Sequence, residues 1–79
     1  MRLDKFLKVS RIIKRRTIAN EICSKGKALL NERVAKPSSE VKADDVISLQ
    51  FGEKVFKYQV LSINEKATKQ NCEDLYRVL

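Results

Sequence analysis

Leu3, Phe6 and Leu7 recur at helical spacing, with Arg2, Asp4, Lys5 and Lys8 between them, so residues 2–9 are expected to form a short amphipathic helix. A helix of this length is not stable alone and must dock its apolar stripe on something. Ser10 either ends it or lies in the connecting turn. Arg11, Lys14, Arg15 and Arg16 then surround Ile12 and Ile13, a pattern that anchors a loop by its isoleucines and sends its cations outward. The helical pattern returns at Thr17, whose hydroxyl is a candidate N-cap, and runs through the stripe Ile18, Ala19, Ile22 and Cys23. Gly26 is placed to end that second helix as its C′ residue.

Beyond Gly26 the period changes from helical to alternating. Residues 27–30 and 33–35 form short strand-like pieces around Asn31-Glu32, a two-residue turn, and Pro37-Ser38-Ser39 breaks the pattern as a loop. In 46–51, Ile47, Leu49 and Phe51 alternate with Val46, Ser48 and Gln50, as a half-buried strand requires. Gly52-Glu53 turns the chain into a longer strand over 54–63. Residues 64–74 read as a polar loop, and 75–79 as a closing strand. The predicted fold is α+β: two short N-terminal helices, like a helix-turn-helix, packed on a small curled antiparallel sheet of four to five strands. Seventy-nine residues allow one domain, 1–79, with a motif core at about 1–50 and a sheet extension over 51–79.

Charge changes this picture from a fold to a site. The net charge is +7, but residues 1–42 carry 12 basic and 4 acidic side chains, whereas 43–79 carry 5 and 6. A polycationic half beside a nearly neutral one is the footprint of a polyanion surface. Lys14-Arg15-Arg16-Thr17 forms its centre, at a helix start where phosphate is favoured. Arg2, Lys5, Lys8, Arg11, Lys25, Lys27 and Lys36 complete the candidate polyanion-binding set.

Catalysis lacks parts. The chain has no His, two Gly and two Cys, which excludes a Cys and His zinc site, a Cys-x-x-Cys redox pair and a glycine-rich phosphate loop. The carboxylate pairs Asp44-Asp45 and Glu73-Asp74 fall in expected turns, and Cys72 has no cation beside it to activate a thiolate. No cofactor, metal or enzymatic activity is expected. Cys23, on an apolar helical face, reads as a reduced core residue. With no signal-peptide or membrane-length apolar run, the expected compartment is the cytoplasm.

Four of the five aromatics lie in the neutral half, and the fifth, Phe6, is on the apolar stripe. Single-strand binders stack bases on aromatics inside the basic groove, so this surface should read phosphates and shape. Structured RNA or a DNA duplex fits better than a floppy strand, and a membrane, which wants a longer basic amphipathic helix, fits less well.

Residues 1–8, then Ser10-Arg11, Lys14-Arg15-Arg16-Thr17, Glu21, Gly26, Asn31, Lys36-Pro37 and Val41-Lys42, resemble the RNA-binding domain named after small-subunit ribosomal protein four. Since that domain fills nearly the whole chain, the resemblance extends to the stand-alone bacterial RqcP family, relatives of the fifteen-kilodalton heat-shock protein. It implies a factor that binds large ribosomal subunits obstructed by peptidyl-tRNA and contacts rRNA and the P-site tRNA. It further implies work beside an RqcH-type factor in alanine tailing during ribosome-associated quality control; separately, the chain is expected to be a monomer. By the resemblance, Arg2, Ser10, Arg11, Arg15, Arg16, Thr17 and Lys36 face RNA, while Leu3, Leu7 and Ile22 are core. Two departures bear on turn geometry: Glu32 where Gly commonly follows the Asn, and Asp44 where Gly commonly precedes the Asp. The alternatives are an RNA-gripping appendage of an rRNA- or tRNA-modifying enzyme or an aminoacyl-tRNA synthetase, and a duplex-DNA regulator.

Overall fold

In the computed structural model, which describes residues 1–63 and 75–79, the apolar stripe of the first segment becomes the face of helix α1, Leu3–Val9. Leu3, Phe6 and Leu7 are fully buried there. Helix α2, Arg16–Ser24, packs beside it and contributes Ala19 and Cys23 to the same core. Five strands follow: β1 Ala28–Leu30, β2 Arg33–Val34, β3 Val46–Phe51, β4 Lys54–Val60 and β5 Tyr76–Val78. They form one antiparallel sheet in the order β2-β1-β3-β4-β5. The predicted α+β architecture is the observed one, with five strands. The expected loop over 64–74, with Cys72 and the Glu73-Asp74 pair, lies outside the described residues.

Register decides which sheet face meets the helices. Leu30, Ile47, Tyr58 and Val78 align across four strands, as do Ala28, Leu49 and Phe56 across three. Ala28, Ile47, Leu49 and Val60 join the helical residues in the core, together with Ile13, Ala35, Val41 and Leu75. The two helices cover only part of this face. Phe51 and Phe56, at the hairpin end, stay 42% and 40% exposed and meet each other edge to face at 5.7 Å. The expectation that Phe51 is buried with Ile47 and Leu49 is corrected on this point, and Ile18, expected in the α2 stripe, likewise lies at the rim at 42% exposure.

Backbone hydrogen bonds set the element ends. Lys27 N–H reaches the Ile22 carbonyl and Gly26 N–H the Cys23 carbonyl, both at 3.1 Å, with Gly26 at φ +73°. This is a Schellman cap, and Gly26 is the C′ residue that the sequence predicts. At the other end α2 starts one residue before Thr17. Arg15 is the N-cap in extended conformation with no side-chain cap, so Thr17 falls in the first turn and does not cap the helix. β4 ends at Val60, three residues short of the expected limit, although the Leu61 N–H still reaches the Leu75 carbonyl at 2.8 Å, in register with the β4–β5 pairing.

The β1–β2 turn keeps its left-handed backbone despite lacking glycine. Asn31 has φ +51° and Glu32 φ +69°, and Asp44, the second departure, has φ +74°. Asn31 is held in place from outside the turn: its Oδ1 accepts from Val46 N–H at 2.9 Å and its Nδ2 donates to Asp45 at 3.0 Å. Glu32 therefore bears steric strain that Gly would not, about 1 kcal/mol for an L-residue in this region. Glu32→Gly is expected to raise Tm by roughly 4 to 8 °C, measured by circular dichroism. An unchanged or lower Tm would mean that the added unfolded-chain entropy of Gly outweighs the strain.

Cys23 is a free thiol, 3% exposed. Burial, with a smaller contribution from the nearby Asp4 charge, pushes its pKa up to about 11. It is a reduced packing residue, unreactive at neutral pH.

Candidate nucleic-acid interface

The starts of α1 and α2 are brought together by one carboxylate. Asp4, in the first turn of α1, is 2% exposed. Its Oδ1 lies 3.3 Å from Arg2 Nε and its Oδ2 lies 3.4 Å from Arg16 Nε, while Arg2 Nη2 also donates to Oδ2 at 3.4 Å. Oδ1 further accepts the Lys5 backbone N–H at 2.8 Å. Both guanidinium side chains remain half exposed.

A loop after β2 fixes the same corner from the other side. Leu3 N–H donates to the Ser39 carbonyl at 2.8 Å and Asp4 N–H to the Pro37 carbonyl at 3.1 Å. Ser39 Oγ accepts the Lys36 N–H at 2.9 Å, which tightens the loop on itself. Val41 N–H reaches the Met1 carbonyl at 2.9 Å. Lys36, exposed, is thereby held on a loop bonded to the start of α1.

The connection between the helices supplies the rest of the cluster. Ser10 ends α1, and Arg11 takes φ +63°, which swings the chain back so that Ile13 N–H reaches the Leu7 carbonyl at 3.0 Å. Ile13 is buried and Ile12 half-buried, so the isoleucines anchor the loop. Lys8, Arg11, Lys14, Arg15, Arg16 and Thr17 are all exposed around it, and Lys5 is half-buried. Arg16, Thr17, Asn20, Glu21 and Asp4 line a shallow depression on α2.

Three features differ from the sequence reading. Ser10 is fully buried and its hydroxyl donates to the Leu7 carbonyl at 3.3 Å, so it shapes the turn and does not reach the surface. Lys25 and Lys27 are exposed but lie at the far end of α2, about 13 Å along a nine-residue helix from Arg16. There the Lys27 carbonyl accepts from Gln50 N–H at 2.9 Å, beside the β3–β4 hairpin. The candidate set is thus a cluster at the helix starts and their connection, plus a separate pair. Asp4 and Asn20 were not singled out by sequence reasoning. The available signal for Asp4 was a lone acid inside a basic motif, about one helical turn before Leu7.

Chemically, this surface offers two guanidiniums anchored on Asp4, further cations around them and the Thr17 and Asn20 side chains, which suits phosphate oxygens and ribose hydroxyls. Among the described residues, no group of three or more His, Cys, Asp or Glu could hold a metal ion, and no helix is long and apolar enough to cross a membrane.

Known proteins agree in sequence and in fold. The S4 domain model matches residues 1–47. The RQC P-site tRNA stabilizing factor of Halalkalibacterium halodurans is 45% identical over 78 residues, covering 99% of this chain and 89% of the relative. The factor of the same name from Bacillus subtilis is 44% identical over 79 residues, covering 100% and 92%. The trimeric heat shock protein 15 of Vibrio cholerae superposes with a TM-score of 0.89 at 30% identity, covering 100% of this chain and 81% of that one.

Proposed function

The chain belongs to the S4 domain family, and from that premise we propose that it is a non-enzymatic RNA-binding factor of bacterial ribosome-associated quality control. It binds large ribosomal subunits still carrying peptidyl-tRNA, contacts rRNA and the P-site tRNA, and supports the alanine tailing carried out with an RqcH-type factor. It acts in the cytoplasm, as a monomer and as one domain over 1–79, without a cofactor. The RNA-contacting residues are Arg2, Lys5, Lys8, Arg11, Lys14, Arg15, Arg16, Thr17 and Lys36, with Lys25 and Lys27 reaching a more distant part of the same RNA.

The observation that carries this reading is the convergence of Arg2 and Arg16, from two helix starts, on one exposed corner ringed by Lys36 and the α1–α2 connection. The names borne by relatives aligned along nearly the full chain support the ribosomal target. Readout of backbone and shape is supported by the anchoring of Arg2 and Arg16 on Asp4 and by the placing of Phe51, Phe56, Tyr58 and Tyr76 on the sheet.

Co-sedimentation with split large subunits, with and without peptidyl-tRNA, tests the proposal directly. Binding is expected to favour the tRNA-bearing subunit, and equal-length duplex DNA should compete poorly. If about four cations each contact a phosphate, affinity for a large-subunit RNA fragment falls roughly tenfold per doubling of salt. A salt-independent affinity, or a preference for the DNA, would count against the proposal.

A further inference from the structure

The buried acid at the centre of the basic corner is at odds with a surface built only by accumulating positive charge. Asp4 subtracts one unit from the cluster, and burying a carboxylate is unfavourable unless paired groups compensate it. It is nevertheless held rigidly, by its own N–H on the Pro37 carbonyl and by the Lys5 N–H on its Oδ1. Each of its oxygens faces the Nε edge of a different arginine. A guanidinium has five N–H groups, so anchoring the Nε edge leaves outer N–H groups pointing to solvent. Those groups sit on half-exposed side chains.

We infer that Asp4 is a positioning residue for RNA: it fixes Arg2 and Arg16 as a pre-oriented pair that grips two phosphates of the backbone. This rests on the proposed RNA-binding function. An unanchored arginine must be immobilised on binding, which lowers affinity by about two- to tenfold per side chain. Asp4 completes that ordering before RNA arrives. It also sets the distance between the two cations through a contact spanning twelve residues of sequence.

Counting charges and this arrangement predict opposite signs for one substitution. Asp4→Asn retains shape and the carbonyl oxygen that accepts the Lys5 N–H, while raising the net charge by one. If Asp4 only reduces the attraction, the variant binds RNA more tightly; if it positions the arginines, the variant binds about tenfold more weakly. In an Arg2→Ala/Arg16→Ala background nothing remains to position, so adding Asp4→Asn there should strengthen binding by relieving repulsion of phosphate.

The experiment is a fluorescence titration of a large-subunit RNA fragment with these variants across salt, below each variant's melting temperature. Weaker binding by folded Asp4→Asn, with the reversed sign in the double-alanine background, supports the inference. Equal or tighter binding by Asp4→Asn overturns it while leaving the RNA-binding proposal standing. Absent or salt-independent binding by the wild type overturns both. Should Asp4→Asn not fold, Arg16→Lys replaces it, because lysine keeps the charge and loses the fork. Weaker binding by that variant supports the inference, and wild-type affinity overturns it.

Discussion

Arg16→Ala is expected to lower affinity for large-subunit RNA by roughly 5- to 30-fold, and Arg2→Ala/Arg16→Ala by more than about 100-fold. Losing one charge-assisted phosphate contact costs about 1 to 2 kcal/mol, which gives the single-variant figure. Two such losses multiply to roughly 25- to 900-fold, and because the residues share Asp4 and are coupled through it the double variant falls in the upper part of that range. With both guanidiniums gone, its carboxylate faces the RNA uncompensated. The single variant keeps Arg2 on Asp4 and should stay folded, so its defect belongs to binding. Co-sedimentation with large subunits reads the effect, and circular dichroism verifies the fold. The salt dependence should shrink by roughly 0.7 to 0.9 log units per arginine removed. Wild-type co-sedimentation of the Arg16→Ala variant would remove Arg16 from the interface.

Local patterns in the sequence carried most of the fold, and long-range packing supplied what they missed. The helical stripe Leu3, Phe6 and Leu7, the cap at Gly26 and the turn at Asn31-Glu32 are each settled within a few neighbouring residues, and each was legible. Asp4 was not, because periodicity tells which side of a helix is apolar and says nothing of what covers the flank. Its burial follows from Arg16 twelve residues on and from the Pro37–Ser39 loop, contacts that only the fold creates. Ser10 was assigned to the RNA face by the family resemblance, but the turn at Arg11 folds its hydroxyl back on Leu7, a contact that the motif alone does not reveal. Likewise the basic run gave the sign of the surface, but only the length of α2 separates Lys25 and Lys27 from the cluster.

The contrast between two phenylalanines turns the partial covering of the sheet into the largest expected stability effect. Phe6 and Phe56 both lie on apolar faces, yet Phe6 is fully buried between helix and sheet, whereas Phe56 is 40% exposed at the hairpin. Phe6→Ala removes a ring from a close-packed interior and leaves a cavity, which costs about 3 to 5 kcal/mol. A 79-residue domain has roughly 4 to 12 kcal/mol in all. The variant is therefore expected to lose about 12 to 40 °C in Tm, or its cooperative transition altogether. Phe56→Ala forfeits mainly the edge-to-face contact with Phe51 and some area already open to water, about 1 kcal/mol, or a few degrees. Thermal melts of the two variants side by side measure the difference. Similar losses would mean that the helices cover the sheet evenly to its hairpin end, which contradicts the exposure of Phe51 and Phe56. RNA binding should follow the same division. Phe6→Ala should lose it with the fold, since Phe6 lies under the turn of α1 that holds Asp4 and Arg2, whereas Phe56→Ala should keep it.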